Sequence, residues 1–267
     1  MTRSSLNGLR VLVTRPEHQA APLCRLIEQN GGIPVRCPTL LIVEPHDWKP
    51  ALAVLDGLAD YDVAIFTSAN AVERALPLIQ QRGGLPARLE LAAIGKATAQ
   101  ALARFGAERC LRPEADFTSE GLLALSRFHR VTGQRLVIVR GEGGRTLLAD
   151  SLAARGARVA VAEVYRRERP EGDAQALLER WAGGGVGAVL VTSTETLLNL
   201  FDMLDGAGQD YLRDTPLIAP SVRIRQTAAK YGCRRLLVAR NASDEALLRA
   251  LLDLAANSSP VQLGNAP

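Results

Sequence analysis

Short apolar runs alternate along this chain with longer stretches in which apolar residues recur every three or four positions. Arg10 to Thr14, Val63 to Phe66 and Leu89 to Ile94 read as buried strands. Glu17 to Asn30 carries Ala20, Leu23, Cys24 and Ile27 on one stripe and stops at Gly31-Gly32, so it reads as a helix. Ala71 to Ile79 places Val72, Ala75, Leu76 and Ile79 together and reads the same way. Thr98 to Phe105 is a third helix, ended by Gly106. Further strands are expected from Val35, over Leu40–Val43 up to Pro45, and over Glu108–Leu111. Further helices are expected over Ala51–Leu58 and from Thr118 to Phe128. The second half repeats the rhythm, with strands at 135–139, 158–164, 187–191, 216–219 and 235–238, each followed by a helix. Strand–helix alternation of this kind predicts parallel sheets covered on both faces.

The two halves are copies. A shift of 125 residues lays 7–17 on 132–142 and matches Gly8 with Gly133, Arg10 with Arg135, Arg15 with Arg140 and Glu17 with Glu142. The same shift lays Gly31 on Gly156, Pro45 on Pro170 and Thr67-Ser68 on Thr192-Ser193. Two copies of one α/β unit, about 1–125 and 126–255, are a duplicated domain and not a solenoid.

In open parallel sheets ligands sit beyond the carboxyl ends of the strands. The residues expected there are Thr14, Arg15, Thr67, Ser68, Gly95, Lys96, Arg140, Gly141, Glu142, Thr192, Ser193, Pro220 and Ser221. Most are small, polar or basic. Several precede a helix, where free N–H groups and the helix dipole favour an anion. Thr67, Ser68 and Asn70 are also good N-caps, so capping alone accounts for them equally well.

Composition narrows the class. The net charge of +4 excludes a polycation, and lysine stands only at 49, 96 and 230, so arginine carries nearly all positive charge. A nucleic-acid partner is not expected, because basic runs interleaved with aromatics are absent. Cys24, Cys37, Cys110 and Cys233 lack paired spacing and read as reduced thiols of a cytoplasmic protein. His18, His46 and His129 are isolated, and no metal-ligand spacing occurs. No apolar signal region opens the chain and no 18-residue apolar run occurs, so no membrane partner is expected. The last residues, 256–267, read as a disordered tail.

Familiar motifs fail one by one. Arg140-Gly141-Glu142-Gly143-Gly144-Arg145 follows a strand, but Thr146 breaks the dinucleotide glycine spacing. Gly95-Lys96-Ala97 lacks the earlier glycine and the hydroxyl of a phosphate loop. Ser68 and Ser193 sit outside the G-x-S-x-G elbow of a serine hydrolase. Tyr165 ends the strand Val159 to Val164, either as an edge tyrosine over apolar surface or as a phenol able to donate a proton.

Taken in order, Val11-Leu12-Val13-Thr14-Arg15-Pro16, Phe66-Thr67-Ser68-Ala69-Asn70-Ala71-Val72, Ala93-Ile94-Gly95-Lys96-Ala97-Thr98-Ala99, Val139-Arg140-Gly141, Val164-Tyr165-Arg166-Arg167 and Val191-Thr192-Ser193 resemble the uroporphyrinogen-III synthase family. The likeness runs from about Arg10 to Leu252. It departs at Pro220-Ser221, where many members have Ile-Gly followed by threonines.

The resemblance implies two similar flavodoxin-like α/β lobes joined by a two-stranded linker. One lobe would be 1–37 with 172–255, the other 46–162, with 38–45 and 163–171 as the linker strands. It implies a site in the cleft between the lobes and a monomeric, cofactor-free enzyme acting on hydroxymethylbilane. That substrate is a chain of four pyrroles bearing acetates and propionates. Its terminal hydroxyl is protonated and lost, the resulting azafulvene attacks ring D at its substituted α-carbon, and a spiro intermediate recloses with ring D inverted. Thr14, Arg15, Thr67, Ser68, Gly95, Lys96, Thr98, Arg140, Gly141, Thr192, Ser193 and Ser221 become the candidate substrate-binding residues, and Tyr165 the candidate proton donor. Arg15, Lys96 and Arg140 would complement the carboxylates. The alternative is a two-lobe binder of a small polyanion with no activity.

Overall fold

The computed structural model describes residues 5–171 and 174–258. In chain order its strands are β1 (Arg10–Val13), β2 (Ile33–Arg36), β3 (Leu41–Val43), β4 (Val63–Phe66), β5 (Glu90–Ala93), β6 (Arg135–Gly141), β7 (Arg158–Glu168), β8 (Ala188–Leu190), β9 (Leu217–Ala219) and β10 (Leu236–Val238). The helices are α1 (Glu17–Gln29), α2 (Lys49–Asp56), α3 (Ala69–Gln81), α4 (Lys96–Arg104), α5 (Ser119–Leu123), α6 (Leu147–Ala154), α7 (Ala174–Ala182), α8 (Thr194–Met203), α9 (Gly206–Asp214), α10 (Val222–Lys230) and α11 (Asp244–Ser258). One sheet has the order β10-β9-β8-β1-β2 and the other β3-β7-β6-β4-β5. The chain separates into two compact units. One holds the described residues up to Leu41 and from Glu168 onward, and the other is Ile42–Arg167.

Each unit buries both faces of its sheet. In the first, Leu12, Val189, Val191 and Leu217 meet α8 and α10 through Leu197, Leu200 and Ile224. On the opposite face Val11, Val13, Leu190 and Ile218 meet Leu23 and Ile27 of α1 and Leu247 and Leu251 of α11. In the second, Phe66, Val137, Val139 and Val164 pack on α3 through Val72, Ala75 and Leu76. Val63, Ile65, Leu136 and Ile138 pack on Leu122, Phe128 and Leu152 behind them. Alternate residues of one strand thus feed two cores, and so the apolar runs are continuous.

Several element expectations need correction. The stretch 108–111 is not a strand; Leu111 alone bridges to Ala92. The next N–H due in that ladder belongs to Pro113, which has none. The expected helix from Thr118 to Phe128 is two pieces, α5 and a 3-10 turn over Ser126–Phe128, with Leu125 extended between them. Arg155 Nη1 takes the Leu123 and Phe128 carbonyls at 2.8 and 3.0 Å, so the Leu123 carbonyl is not left for a continuing helix. Residues 256–258 close α11 instead of opening a tail, and the rest of the expected tail, 259–267, lies outside the described residues.

In the first unit Trp181 Nε1 donates to Thr215 Oγ1 at 2.9 Å, and that hydroxyl donates to the Tyr211 carbonyl at 2.8 Å. Both side chains are buried, so removing the acceptor strands the indole N–H. Thr215→Val is expected to cost about 1–3 kcal/mol in urea unfolding. The same change made on a Trp181→Phe background is expected to cost less, because no donor is then left unpaired.

Burial pushes the Cys37 and Cys233 thiols up to about 11 each. Their unfolded thiols ionise near 9.0, so between that value and about 11 the folded state binds more protons than the unfolded one. Stability from this source is therefore intact below about pH 9 and lost as the pH rises toward 11. A Cys37→Ala, Cys233→Ala double variant is expected to show a shallower alkaline fall in unfolding free energy than the parent.

Candidate active site

A register change in β7 builds the second unit's site. Arg140 pairs with Glu163, but the next residue, Gly141, pairs with Tyr165, so Val164 is an extra residue in the ladder. Ala162 and Val164 pack in the core on the α3 side, whereas Val159, in step with Val161 and Glu163, packs against the core on the other face. Regular alternation would send Tyr165 after Glu163. The bulge returns it to the α3 side instead, where it is 1% exposed among Phe66, Val139 and Val164.

The Tyr165 ring lies where a side chain at Gly141 would be. A Cβ built on Gly141 would stand 2.6 Å from ring carbons Cε2 and Cζ and 3.0 Å from the hydroxyl. Gly141 is therefore required by the tyrosine, and it does not itself open a helix. It ends β6, and α6 begins only at Leu147, with no side-chain cap at Thr146.

The phenol ends against the start of α3. Ser68 is the N-cap of that helix, its Oγ accepting from the Ala71 N–H at 3.1 Å, and the same Oγ stands 3.1 Å from the Tyr165 hydroxyl. Arg167 Nη2 donates to the phenol oxygen at 3.3 Å, and the guanidinium carbon lies 5.8 Å from the ring centroid. Thr67 turns inward, its N–H and Oγ1 both directed at the Val139 carbonyl at 3.1 and 3.4 Å. Gly95 caps α4 without a side chain, Lys96 is exposed with its Nζ 5.4 Å from the Phe117 ring centroid, and Thr98 is buried in the first turn.

Two of the expected charge complements are already engaged. Arg140 pairs with Glu163 at 3.0 Å and donates to the Gly144 and Arg145 carbonyls, holding the loop after β6. In the first unit Arg15 is paired with Asp244 and donates to the Ala242 carbonyl at 2.9 Å, which ties β1 to the start of α11. Both guanidiniums are more than four-fifths buried.

The first unit carries a similar set of strand ends. Ser193 caps α8 in a capping box with Thr196, whose Oγ1 accepts the Ser193 and Thr192 N–H groups at 3.0 and 3.3 Å. Thr14 is fully buried and donates to the Leu190 carbonyl at 2.8 Å, so its hydroxyl serves the sheet. Ser221 caps α10, accepting from Ile224 at 3.4 Å, with Arg223 and Arg225 exposed on the first turn.

Sequence reasoning missed Thr196 and His46. The Ser193-Thr194-Glu195-Thr196 spacing was the available signal for the first. Nothing in the sequence signals the second: His46 grips Glu142 through its N–H at 2.7 Å and its Nδ1 at 2.6 Å, and these bonds hold the Glu142 carboxyl below the usual carboxylate range. A cavity of about 480 Å³ beside them is lined by Asp47, Glu142 and Glu163 together with His46 and Arg140, so acidic side chains outnumber basic ones there. Among the described residues no group of three or more His, Cys, Asp or Glu could hold a metal ion. Nor is any described helix long and apolar enough to cross a membrane.

Gly141→Ala tests the ring contact. Overpacking of this kind costs about 1–3 kcal/mol, measurable as a lower unfolding midpoint. Tyr165→Ala on the same background is expected to remove the Gly141→Ala penalty, since the ring that causes the clash is gone.

Comparison with known proteins adds the chain's relationships. The model of the family described as uroporphyrinogen-III synthase HemD matches residues 21–249. A uroporphyrinogen-III synthase of Escherichia coli is 34% identical over 246 residues, covering 91% of this chain and 100% of that protein. One from Salmonella typhimurium is 31% identical, with 91% of this chain and 100% of that protein covered. Among solved structures, a mutant uroporphyrinogen III synthase of Thermus thermophilus aligns with a TM-score of 0.61 at 19% identity, covering 94% of this chain and 100% of that one. At that identity the likeness bears on the fold alone. With the family model and full-length relatives in agreement, the chain belongs to the uroporphyrinogen-III synthase family.

Proposed function

We propose that this protein closes hydroxymethylbilane into uroporphyrinogen III, with loss of water and inversion of ring D. Family membership over 21–249 carries the reading. The reaction asks the protein for a folded substrate, one proton to the leaving hydroxyl and shelter for cationic intermediates. The second unit supplies a phenol held by Ser68 and Arg167 and backed by Gly141, and Tyr165 is the proposed acid.

The substrate's carboxylates are assigned to the N-terminal turns after Ser68, Gly95, Ser193 and Ser221, each the N-cap of its helix, and to Lys96. Thr67, Thr98, Gly141 and Thr192 belong to the same turns or strand ends as positioning residues. Thr14, Arg15 and Arg140 hold these ends in place through the bonds described above. The site is thus read as built on backbone N–H groups more than on arginine side chains.

The architecture is read as a duplicated, flavodoxin-like pair of lobes, 1–37 with 172–255 and 46–162, linked by 38–45 and 163–171. What supports this is the strand order. The 125-residue shift relates β1 to β6, β2 to β7, β4 to β8 and β5 to β9, and Leu111 beside Ala92 stands where β10 stands beside β9. Each sheet then combines two leading strands of one copy with the later strands of the other. The protein is further proposed to act as a cytoplasmic monomer without a cofactor; four free cysteines suit a reducing compartment.

Incubation with fresh hydroxymethylbilane is expected to give isomer III, corrected for spontaneous closure to isomer I. Isomer I alone would mean a polyanion binder without activity. Tyr165→Phe keeps the ring against Gly141 and removes the hydroxyl, so kcat is expected to fall about 10²–10⁴-fold with KM and fold retained. A wild-type kcat in that variant would remove Tyr165 from the mechanism.

A further inference from the structure

Tyr165 is buried at 1% exposure, whereas Ser68, which touches its hydroxyl, is half-buried. Hydrogen-bond accounting at this pair gives the proton a direction. Arginine has donors only, so Arg167 occupies a lone pair of the phenol oxygen at 3.3 Å. The Ala71 N–H likewise occupies a lone pair of Ser68 Oγ at 3.1 Å. One hydrogen lies between the two hydroxyls, which stand 3.1 Å apart. If Ser68 supplied it, the phenol would accept from two donors. Its own O–H would then be left without an acceptor, since the bonds to that oxygen come from Ser68 and Arg167 alone among the described residues and the residue is 1% exposed. If Tyr165 supplies it, every bond is made, and the O–H left to face outward is that of Ser68.

From this we infer that the proton for the leaving hydroxyl is delivered by Ser68, with Tyr165 as its source behind it and Arg167 as the positioning residue that sets the direction. The inference rests on the proposed activity. In the step, Ser68 gives its proton to the substrate's terminal hydroxyl. The carbon–oxygen bond breaks, its electron pair leaves with the water, and the pyrrole nitrogen's lone pair fills the carbon to give the azafulvenium. Ser68 regains a proton from Tyr165, and the charge left on the phenol oxygen faces the Arg167 guanidinium. When the closed macrocycle loses the proton on its last-bonded ring carbon to regain aromaticity, that proton returns through Ser68 to Tyr165. The balance is hydroxymethylbilane to product plus water, with no other reactant.

The test is steady-state formation of isomer III over a range of hydroxymethylbilane concentrations, corrected for spontaneous closure and read as kcat and KM. Ser68→Ala and Tyr165→Phe are each expected to slow it about 10²–10⁴-fold, and the double variant to be no slower than either, as for residues that act as a unit. Arg167→Gln is expected to slow it about tenfold or more with KM unchanged, and Arg167→Lys to recover part of that loss. A merely structural role would not produce the fourth reading: in H2O/D2O mixtures the wild-type rate should bow with deuterium content, as for two protons in flight, and become linear in Tyr165→Phe. A linear wild-type plot, or Ser68→Ala within about threefold of wild type while Tyr165→Phe is slow, overturns the relay and leaves the activity standing. A wild-type protein that yields isomer I alone overturns the activity itself and the relay with it.

Discussion

The stacking of the Tyr165 ring on Gly141 is the contact on which the second unit's site depends. It exists because Val164 is an extra residue in β7, so that Tyr165 joins the α3 side of the sheet instead of following Glu163 to the other. Three otherwise unrelated features then meet. The glycine leaves room for the ring, the N-cap of α3 meets the phenol, and Arg167, two residues further along the same strand, reaches back to the phenol oxygen. A side chain at Gly141 or an uninterrupted ladder would break this arrangement. The bulge is confined to the place where β6 and β7 leave the regular sheet, so the cores above it need no adjustment.

The strand ends are held by hydrogen bonds that leave few polar side chains uncommitted. Thr14, Thr67, Ser193 and Thr196 satisfy carbonyls or N–H groups at the rim of their sheets. Arg15 and Arg140 stand at equivalent places in the two copies and are both consumed by carboxylates, Asp244 and Glu163. Mostly buried and charge-paired, these two arginines are costly to break, since removing one partner strands the other. They act as braces. In the proposed reading, anion recognition is left to backbone N–H groups of the first helix turns and to the exposed Lys96.

The family relationship and the geometry bear on different questions. Sequence likeness over nearly all of the chain fixes the relationship, and the short motifs that resemble the family in this sequence stand at strand ends. The geometry explains why those motifs have their composition. Thr67-Ser68 is a strand end turning into a capped helix, and Val139-Arg140-Gly141 is a strand end holding a loop on one side and a tyrosine ring on the other. Small residues recur because backbone and ring approach closely there.

The sequence alone determined the α/β class, the strands and most helices, because continuous apolar runs and single-stripe periodicity report burial on two faces or one. It also located the candidate residues, since N-caps and strand ends are local features with local signatures. Its misses were of another kind. Pro113 removing a ladder N–H turned 108–111 into a single bridge, and Arg155, more than thirty residues from Leu123, ended α5. The bulge at Val164, the engagement of Arg15 and Arg140 and the grip of His46 on Glu142 belong to the same class. Each depends on which residue lies opposite in space, and only the tertiary structure decides that.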